Sequence, residues 1–154
     1  ERGVPYPMRA IRTRDFLYIH NFAPDRWPAG DPRGLEDLNA EAPSWESISS
    51  SSRVVYADMD ASPTKAWIIH HRAEEDVQVL FQLAFGKRPR EELYDLRVDP
   101  DHMNNVADHT DYQDARKSLS DELMQVLLRE NDDPRLVESP VRFEHPPYAG
   151  PLLH

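Results

Sequence analysis

The 154-residue chain has no cysteine, only five glycines and no long uninterrupted apolar run. The absence of cysteine excludes disulfides and, by itself, indicates no particular compartment. A membrane-spanning helix needs roughly 20 consecutive apolar residues, and the chain contains no such run. Basic residues are also scarce, with 18 Lys and Arg against 28 Asp and Glu and a net charge of −10. This balance disfavours nucleic-acid binding, which needs clustered cations.

Prolines are frequent, at 14, and the hydrophobic fraction of 39% predicts a thin core in one ordinary domain. Residues 23–52 contain several prolines, two glycines and a serine-rich run at residues 47–52, so we expect a loop. Because disordered linkers rarely carry tryptophan, Trp27 and Trp45 indicate that part of this loop docks on a surface. Residues 53–56 could add a short strand.

Residues 9–13 and 16–22 have the pattern of two strands joined by a tight turn at residues 13–15. Side chains of the second strand alternate between its faces, with Phe16, Tyr18, His20 and Phe22 on one and Leu17 and Ile19 on the other. Apolar residues on both faces indicate that neither side of this strand is simply open to water.

Two short helices are predicted in the middle of the chain. Ser62 and Pro63 are a helix start, followed by helical residues 66–72. A second helix is predicted at residues 75–85, with Gly86 placed to end it. Its apolar stripe consists of Val77, Leu80, Phe81 and Ala84.

The longest predicted helix begins near Thr110 or Asp111 and ends by Asn131. Thr110 and Gln113 have the spacing of a capping box. The buried stripe is predicted to consist of Tyr112, Ala115, Leu119, Leu123, Val126 and Leu127. About twenty helical residues span roughly 30 Å, which is enough to cover one face of a small sheet.

Residues 91–107 read EELYDLRVDPDHMNNVA. Residues 93–96 form an aromatic and aliphatic run suited to a strand that packs on both faces. Asp99 with its following proline is a helix-start or turn signal, because the carboxylate can accept free N–H groups. Asn104 and Asn105 tolerate positive φ, so the chain can turn there.

This segment resembles the pattern E-L-Y-D-L-x-x-D-P-x-E-x-x-N-L-A near the C-terminus of the sulfatase family. It departs at His102, where the family usually has Glu, and at Val106, where it usually has Leu; neither departure is expected to affect the turn. Residues 9–21 are similar to the other half of this C-terminal pattern, R-x-I-R-T-x-x-Y-x-Y-I-x-N, and stand in the same order. The Tyr-Pro-Met-Arg sequence at residues 6–9 and the long insertion resemble the sulfamidase-like branch, the N-sulfoglucosamine sulfohydrolases.

The resemblance implies an enzyme that hydrolyses sulfate esters or N-sulfates on sugars, as in glycosaminoglycan degradation. Sulfatases attack sulfur with hydrated formylglycine, made from the Cys or Ser of a C/S-x-P-x-R motif, and use a divalent cation, usually calcium. They are periplasmic, secreted or lysosomal. The motif is missing here, since its nearest approach has Glu138 in place of the Cys or Ser. The resemblance therefore implies a non-catalytic C-terminal subdomain that is inactive alone, holds no cofactor itself and pairs with an N-terminal catalytic domain.

Histidines and acidic residues offer no convincing metal or acid–base site. His70 and His71 are adjacent, so on a helix they would point about 100° apart and could not chelate one ion. His102 and His109 have no third ligand at a useful spacing, and an ordinary surface or hydrogen-bonding role is expected. Residues 58–60 lack the glycine and distal glutamate of an EF-hand loop.

Three arginines are the candidate substrate-binding residues. In sulfatases, segments that leave the small C-terminal sheet reach the rim of the substrate pocket. Arg26, Arg33 and Arg53 lie in such a segment and could bind a sulfate or a uronate, the alternative being plain surface charge. The acidic balance of the chain opposes capture of a sulfated polysaccharide by this region alone. No catalytic or metal-binding residue is predicted.

The predicted fold is α+β, with a small antiparallel sheet of three or four strands, a long C-terminal helix on one face and an inserted helical pair. Residues 1–134 form the subdomain, with an insertion at about 23–90, and residues 135–154 form an extended proline-rich tail. The alternative function is a stand-alone binding or dimerisation module. Unless other segments cover the second face of the sheet, an exposed apolar patch there is expected to drive self-association into a homodimer.

Overall fold

The computed structural model describes residues 6–132, so the predicted tail at 135–154 lies outside the described residues. In chain order the elements are β1 (Met8–Arg12), β2 (Phe16–Asn21), α1 (Trp45–Ser50), α2 (Pro63–His70), α3 (Glu75–Phe85), β3 (Glu91–Asp95) and α4 (Gln113–Glu130). The α+β class is confirmed, with three antiparallel strands and a long C-terminal helix. Over residues 6–132, none of the helices has the length and apolar character needed to cross a membrane.

The chain forms two units. The first contains residues 25–88, with helices α1, α2 and α3. The second contains residues 7–24 and 89–132, with the sheet and α4. The first unit lies within the predicted insertion of about residues 23–90.

The sheet is assembled from a hairpin and one distant strand. Thr13 closes the hairpin turn, because its hydroxyl accepts from the Phe16 N–H at 3.0 Å and its own N–H donates to the Phe16 carbonyl at 2.9 Å. β3 then pairs antiparallel with β2, placing Leu93 opposite Tyr18. The resulting order is β1-β2-β3, with β2 in the centre.

Helix α4 covers one face of this sheet, as predicted. Its buried side chains recur every four residues, at Leu119, Leu123 and Leu127. They pack with Tyr18 and Leu93, both of which are completely buried. Full burial of each leucine contributes about 2 kcal/mol, so this contact is the main apolar core of the second unit.

The ends of α4 differ in part from the prediction. Thr110 lies in a short 3-10 helix, and α4 begins at Gln113 without a side-chain cap, so the predicted capping box is wrong. Val126, predicted as buried, is only half-buried. The helix ends as expected, because Asn131 adopts the left-handed conformation with a φ of 54° and caps it.

The other face of the sheet carries a buried polar network. The Asn21 amide donates to a Glu92 carboxylate oxygen at 2.7 Å, and the Tyr94 hydroxyl donates to the other oxygen at 2.6 Å. Asn21 and Glu92 are both buried, and Leu17 and Ile19 are half-buried. This face is therefore partly polar, and the expectation that it drives self-association stays a prediction.

The first unit is built around an aromatic core. Tyr56 is completely buried, stacks on Phe85 at 4.5 Å between ring centroids and meets Phe81 and Trp27 edge-on. Trp27 packs against this core, as expected for a tryptophan in a proline-rich loop. Trp45 differs, since it begins α1 and remains 44% exposed.

Two local predictions in the first unit are wrong. The serine-rich run, expected as loop, belongs largely to α1, because Ser44 caps that helix by accepting from the Ser47 N–H at 3.2 Å. Burial of Ile48 then holds α1 against the core. Residues 53–56, expected as a short strand, contain the end of a 3-10 helix and Tyr56 at a positive φ of 45°.

Helices α2 and α3 lie close to their predicted bounds. Ser62 caps α2 by accepting from the Lys65 N–H at 3.1 Å, and Pro63 occupies the first turn. Gly86 ends α3 with a φ of −63°, so left-handed geometry is not the reason for glycine there. A Cβ at this position would lie 2.5 Å from the Gln82 carbonyl oxygen, and only glycine tolerates that approach.

Candidate functional site

The three candidate arginines all lie in the first unit. Arg26 is half-buried beside Trp27 in the chain. Arg33 is exposed, with a φ of 50°, in a turn where the Asp31 carboxylate accepts the Arg33 N–H at 2.8 Å. Arg53 is exposed in the short 3-10 helix. None of the three lines either cavity described below, so their contact with a sulfate or uronate stays a prediction.

The segment after β3 is a turn rather than a helix start. The Asp99 carboxylate accepts the N–H groups of Met103 at 3.1 Å and Asn104 at 2.7 Å. Asn105 then accepts the Leu93 N–H through its side-chain oxygen at 2.9 Å. Because β3 is an edge strand, this contact satisfies a backbone donor that would otherwise be open to another chain.

His102 adopts the left-handed conformation in this turn, with a φ of 57°, and the asparagines predicted to do so do not. Its ring lies 5.9 Å from that of Tyr94, and its buried Nε2 atom has no hydrogen-bond partner. The residue at which the sequence departs from the family pattern therefore lies in the turn itself. The expectation that this departure leaves the turn unaffected stays a prediction.

A polar cavity of about 280 Å³ lies beside β3 and α4 and is lined by Glu91, Gln113, Asp114, Arg116, Lys117, Ser120 and Asp121. Glu91 accepts the Tyr18 hydroxyl at 2.7 Å and lies 3.7 Å from the Arg116 guanidinium. Burial, together with the Glu91 charge, raises the pKa of the Tyr18 hydroxyl. Through Tyr18, Glu91 and Arg116 the cluster joins β2, β3 and α4.

A second polar cluster lies at the end of β3. The buried Asp95 carboxylate receives two hydrogen bonds from the Arg97 guanidinium, at 2.8 and 2.7 Å, and one from the Tyr112 hydroxyl at 3.0 Å. The Arg97 guanidinium also lies 4.8 Å from the centre of the Phe16 ring. The Arg97 hydrogen bonds lower the pKa of Asp95 to about 2. The cluster ties the end of β3 to the segment that leads into α4.

Lys65 is buried in the first unit and was missed by sequence reasoning. Its ammonium group donates to the carbonyls of Ser52 at 3.3 Å, Tyr56 at 3.0 Å and Met59 at 2.8 Å. Burial lowers the pKa of this group to about 8. The ammonium therefore holds the loop that precedes α2. The local sequence does not predict this role, because a lysine in the first turn of a helix is usually exposed to solvent.

The two histidines at the end of α2, His70 and its C-cap His71, contact aromatic neighbours. His70 lies 5.9 Å from the Trp45 ring, and His71 stacks on Trp67 at 4.7 Å between centroids. His71 also pairs with Glu74 at 2.6 Å. Over residues 6–132, no group of three or more His, Asp or Glu side chains is arranged to hold a metal ion.

The outer face of α3 is an exposed apolar surface. Val79 is 62% exposed, Leu80 47% and Leu83 44%, so the prediction that Leu80 is buried is wrong. The opposite face buries Val77, Phe81 and Phe85. A groove of about 490 Å³ on this side is lined by Gln78, Val79, Gln82, Leu83, Lys87 and Arg88. The sequence did contain a signal for this exposed surface: residues 75–85 are apolar on two sides of the helix, and such a helix is expected to make contacts on both sides.

No protein-family model, curated protein or solved structure matches this chain. Within the described residues, the polar clusters connect secondary structure elements, whereas the α3 surface and two of the three candidate arginines are exposed.

Proposed function

We propose that this chain is the C-terminal, non-catalytic subdomain of a sulfatase that hydrolyses sulfate esters or N-sulfates on sugars. The observation that supports this best is the pairing of the two segments that resemble the family. The β1–β2 hairpin and β3 are far apart in sequence and adjacent in one antiparallel sheet. Tyr18 and Leu93, one from each segment, are opposite one another and completely buried. This pairing agrees with the two resemblances belonging to one structural element.

The reacting groups would belong to a catalytic domain encoded upstream. The chain has no C/S-x-P-x-R motif, so the formylglycine nucleophile and the divalent cation of the family would be held by that domain. This chain would contribute the sheet, its covering helix and a loop at the pocket rim. Arg33 and Arg53 are exposed and accessible to a sulfate or uronate, and Arg26 would assist them from a half-buried position.

The reading frame upstream of Glu1 provides the first test. We expect an in-frame segment that encodes C/S-x-P-x-R, and a frame without one would overturn the proposal. The product of the full frame should hydrolyse an aryl sulfate or N-sulfated glucosamine. The 154-residue chain alone should hydrolyse neither, with or without calcium. Turnover that survives purification and scales with this chain would contradict the division of roles.

The arginines provide a separate test in the full product. Replacing Arg26, Arg33 and Arg53 together by glutamine should raise KM for the sulfated sugar and leave kcat little changed, since these residues would bind the substrate outside the reacting centre. Glutamine at Arg12, an exposed residue of the sheet, is the control. Equal KM values for both variants would assign the three arginines to plain surface charge.

A stand-alone binding or dimerisation module is the second candidate function. The exposed apolar surface of α3 favours it, because a monomer gains nothing from leaving Val79, Leu80 and Leu83 open to water. A reading frame without a catalytic motif would favour this alternative over the sulfatase subdomain.

A further inference from the structure

The outer face of α3 has a charge pattern that is complementary to itself. Glu75, Val79 and Leu83 follow one another at four-residue intervals and so share one side of the helix. Lys87 follows just beyond the end of α3 and lines the same groove as Val79 and Leu83. We call these four residues the α3 stripe. It is acidic at the start of the helix, apolar in the middle and basic just beyond the end of the helix.

The stability of the helix explains the charged residue at the start of the α3 stripe but not the exposure of its apolar residues. Acidic residues in the first turn of a helix complement its dipole, which accounts for Glu75 by itself. The dipole does not account for Val79, Leu80 and Leu83, each between 44% and 62% exposed. Within the described part of the chain, each of the other α-helices carries one large exposed apolar side chain: Trp45, Trp67 or Leu128.

We propose that the α3 stripe binds a second copy of this chain, with the two α3 helices antiparallel about a two-fold axis. Val79 of each copy then meets Leu83 of the other. Glu75 of each copy faces Lys87 of the other, which forms two opposite-charge pairs at the rim. Because both copies use the same surface, the assembly closes at a dimer. A parallel pair would place like charges opposite one another.

The dimer should be weak and dependent on concentration. Eleven helical residues span about 16 Å, and a surface of this length is smaller than the roughly 800 Å² per partner of stable interfaces. The net charge of −10 also opposes association at long range. The Lys87 ammonium lies 5.1 Å from the centre of the Trp27 ring, which restrains it at the edge of the groove. The pairing draws only on residues 75–87 and stands apart from the sulfatase assignment.

Charge exchange between two variants tests the antiparallel arrangement. The full 154-residue chain, Glu75→Lys and Lys87→Glu are compared by sedimentation equilibrium over a range of concentrations. Each single variant makes both rim pairs like-charged, so its dimer should dissociate about tenfold more readily than that of the wild type. An equal mixture of the two variants should recover wild-type association, because each supplies the charge that the other lacks.

Three further variants separate this contact from general effects on folding or charge. Leu83→Gln should lose the dimer without a charge change, while Glu122→Lys on exposed α4 should leave it intact. The double variant Glu75→Lys with Lys87→Glu should dimerise alone. Far-UV circular dichroism is used to check that each variant is folded. If one of the single variants does not fold, dimerisation of the double variant still tests the arrangement. A wild-type chain that stays monomeric at high concentration, or a mixture without recovery, would overturn the proposal.

Discussion

Lys65→Met tests whether a buried ammonium organises the loop before α2. Methionine keeps the apolar stem of the side chain and removes the hydrogen bonds to the carbonyls of Ser52, Tyr56 and Met59. A hydrogen bond that involves a charged group contributes about 1.5–3 kcal/mol, but the contact to Ser52 is long at 3.3 Å. The variant also avoids the cost of burying an ammonium, which offsets part of the loss. We expect a net destabilisation of about 3 kcal/mol.

Tryptophan fluorescence during urea unfolding measures this effect, because all three tryptophans lie in residues 25–88. The experiment is run at about pH 6, where the ammonium is charged, since burial lowers the pKa of Lys65 to about 8. The matched control is Lys117→Met, followed by circular dichroism. Lys117 is exposed on α4 and paired with Asp121, so little change is expected. A Lys65→Met effect below about 0.5 kcal/mol would refute the proposed role of Lys65.

Three further variants and one control test the second unit. The pKa of Asp95 is lowered to about 2 because Arg97 holds its carboxylate, so the resulting stability is present above about pH 4 and lost as the pH falls towards 2. Acid titration by circular dichroism should show a steeper loss for the wild type than for Asp95→Asn; parallel curves would contradict this. Asp99→Ala removes the acceptor of two N–H groups and should lower the free energy of unfolding by about 1 kcal/mol, as measured by urea denaturation. An unchanged denaturation midpoint would show that the Asp99 carboxylate does not stabilise the turn. Leu123→Ala should cost about 3 kcal/mol through a cavity under the sheet, and the exposed Leu128→Ala very little. Equal effects would show that Leu123 is not a core contact.

Local signals were enough to predict most elements. Ser62 and Pro63 mark the start of α2, and the apolar period of residues 75–85 matches α3. Both act through hydrogen bonds and contacts within one or two helical turns, which a single sequence records directly. Prediction failed for α1, because a run of serines has a weak helical preference and the helix depends on the burial of Ile48.

The candidate site was less predictable than the fold. The sequence identified Arg26, Arg33 and Arg53 as cations in one long loop, but it contained no information on whether they line a cavity. Lys65 was overlooked because lysines are rarely buried, and its carbonyl partners come from an irregular loop. The left-handed backbone of His102 was not predicted, because a residue's backbone conformation cannot be read from a family pattern alone.

Apart from α1 and residues 53–56, the sequence by itself determined which segments become strands and helices, since turns, caps and apolar periodicity act over a few residues. Only the tertiary structure decided which side of α3 is buried. That helix is apolar on two sides, and packing of Phe81 and Phe85 on Tyr56 selects one and leaves Val79 and Leu83 exposed. The choice belongs to the tertiary structure because burial depends on which distant surfaces meet, and no local preference records that.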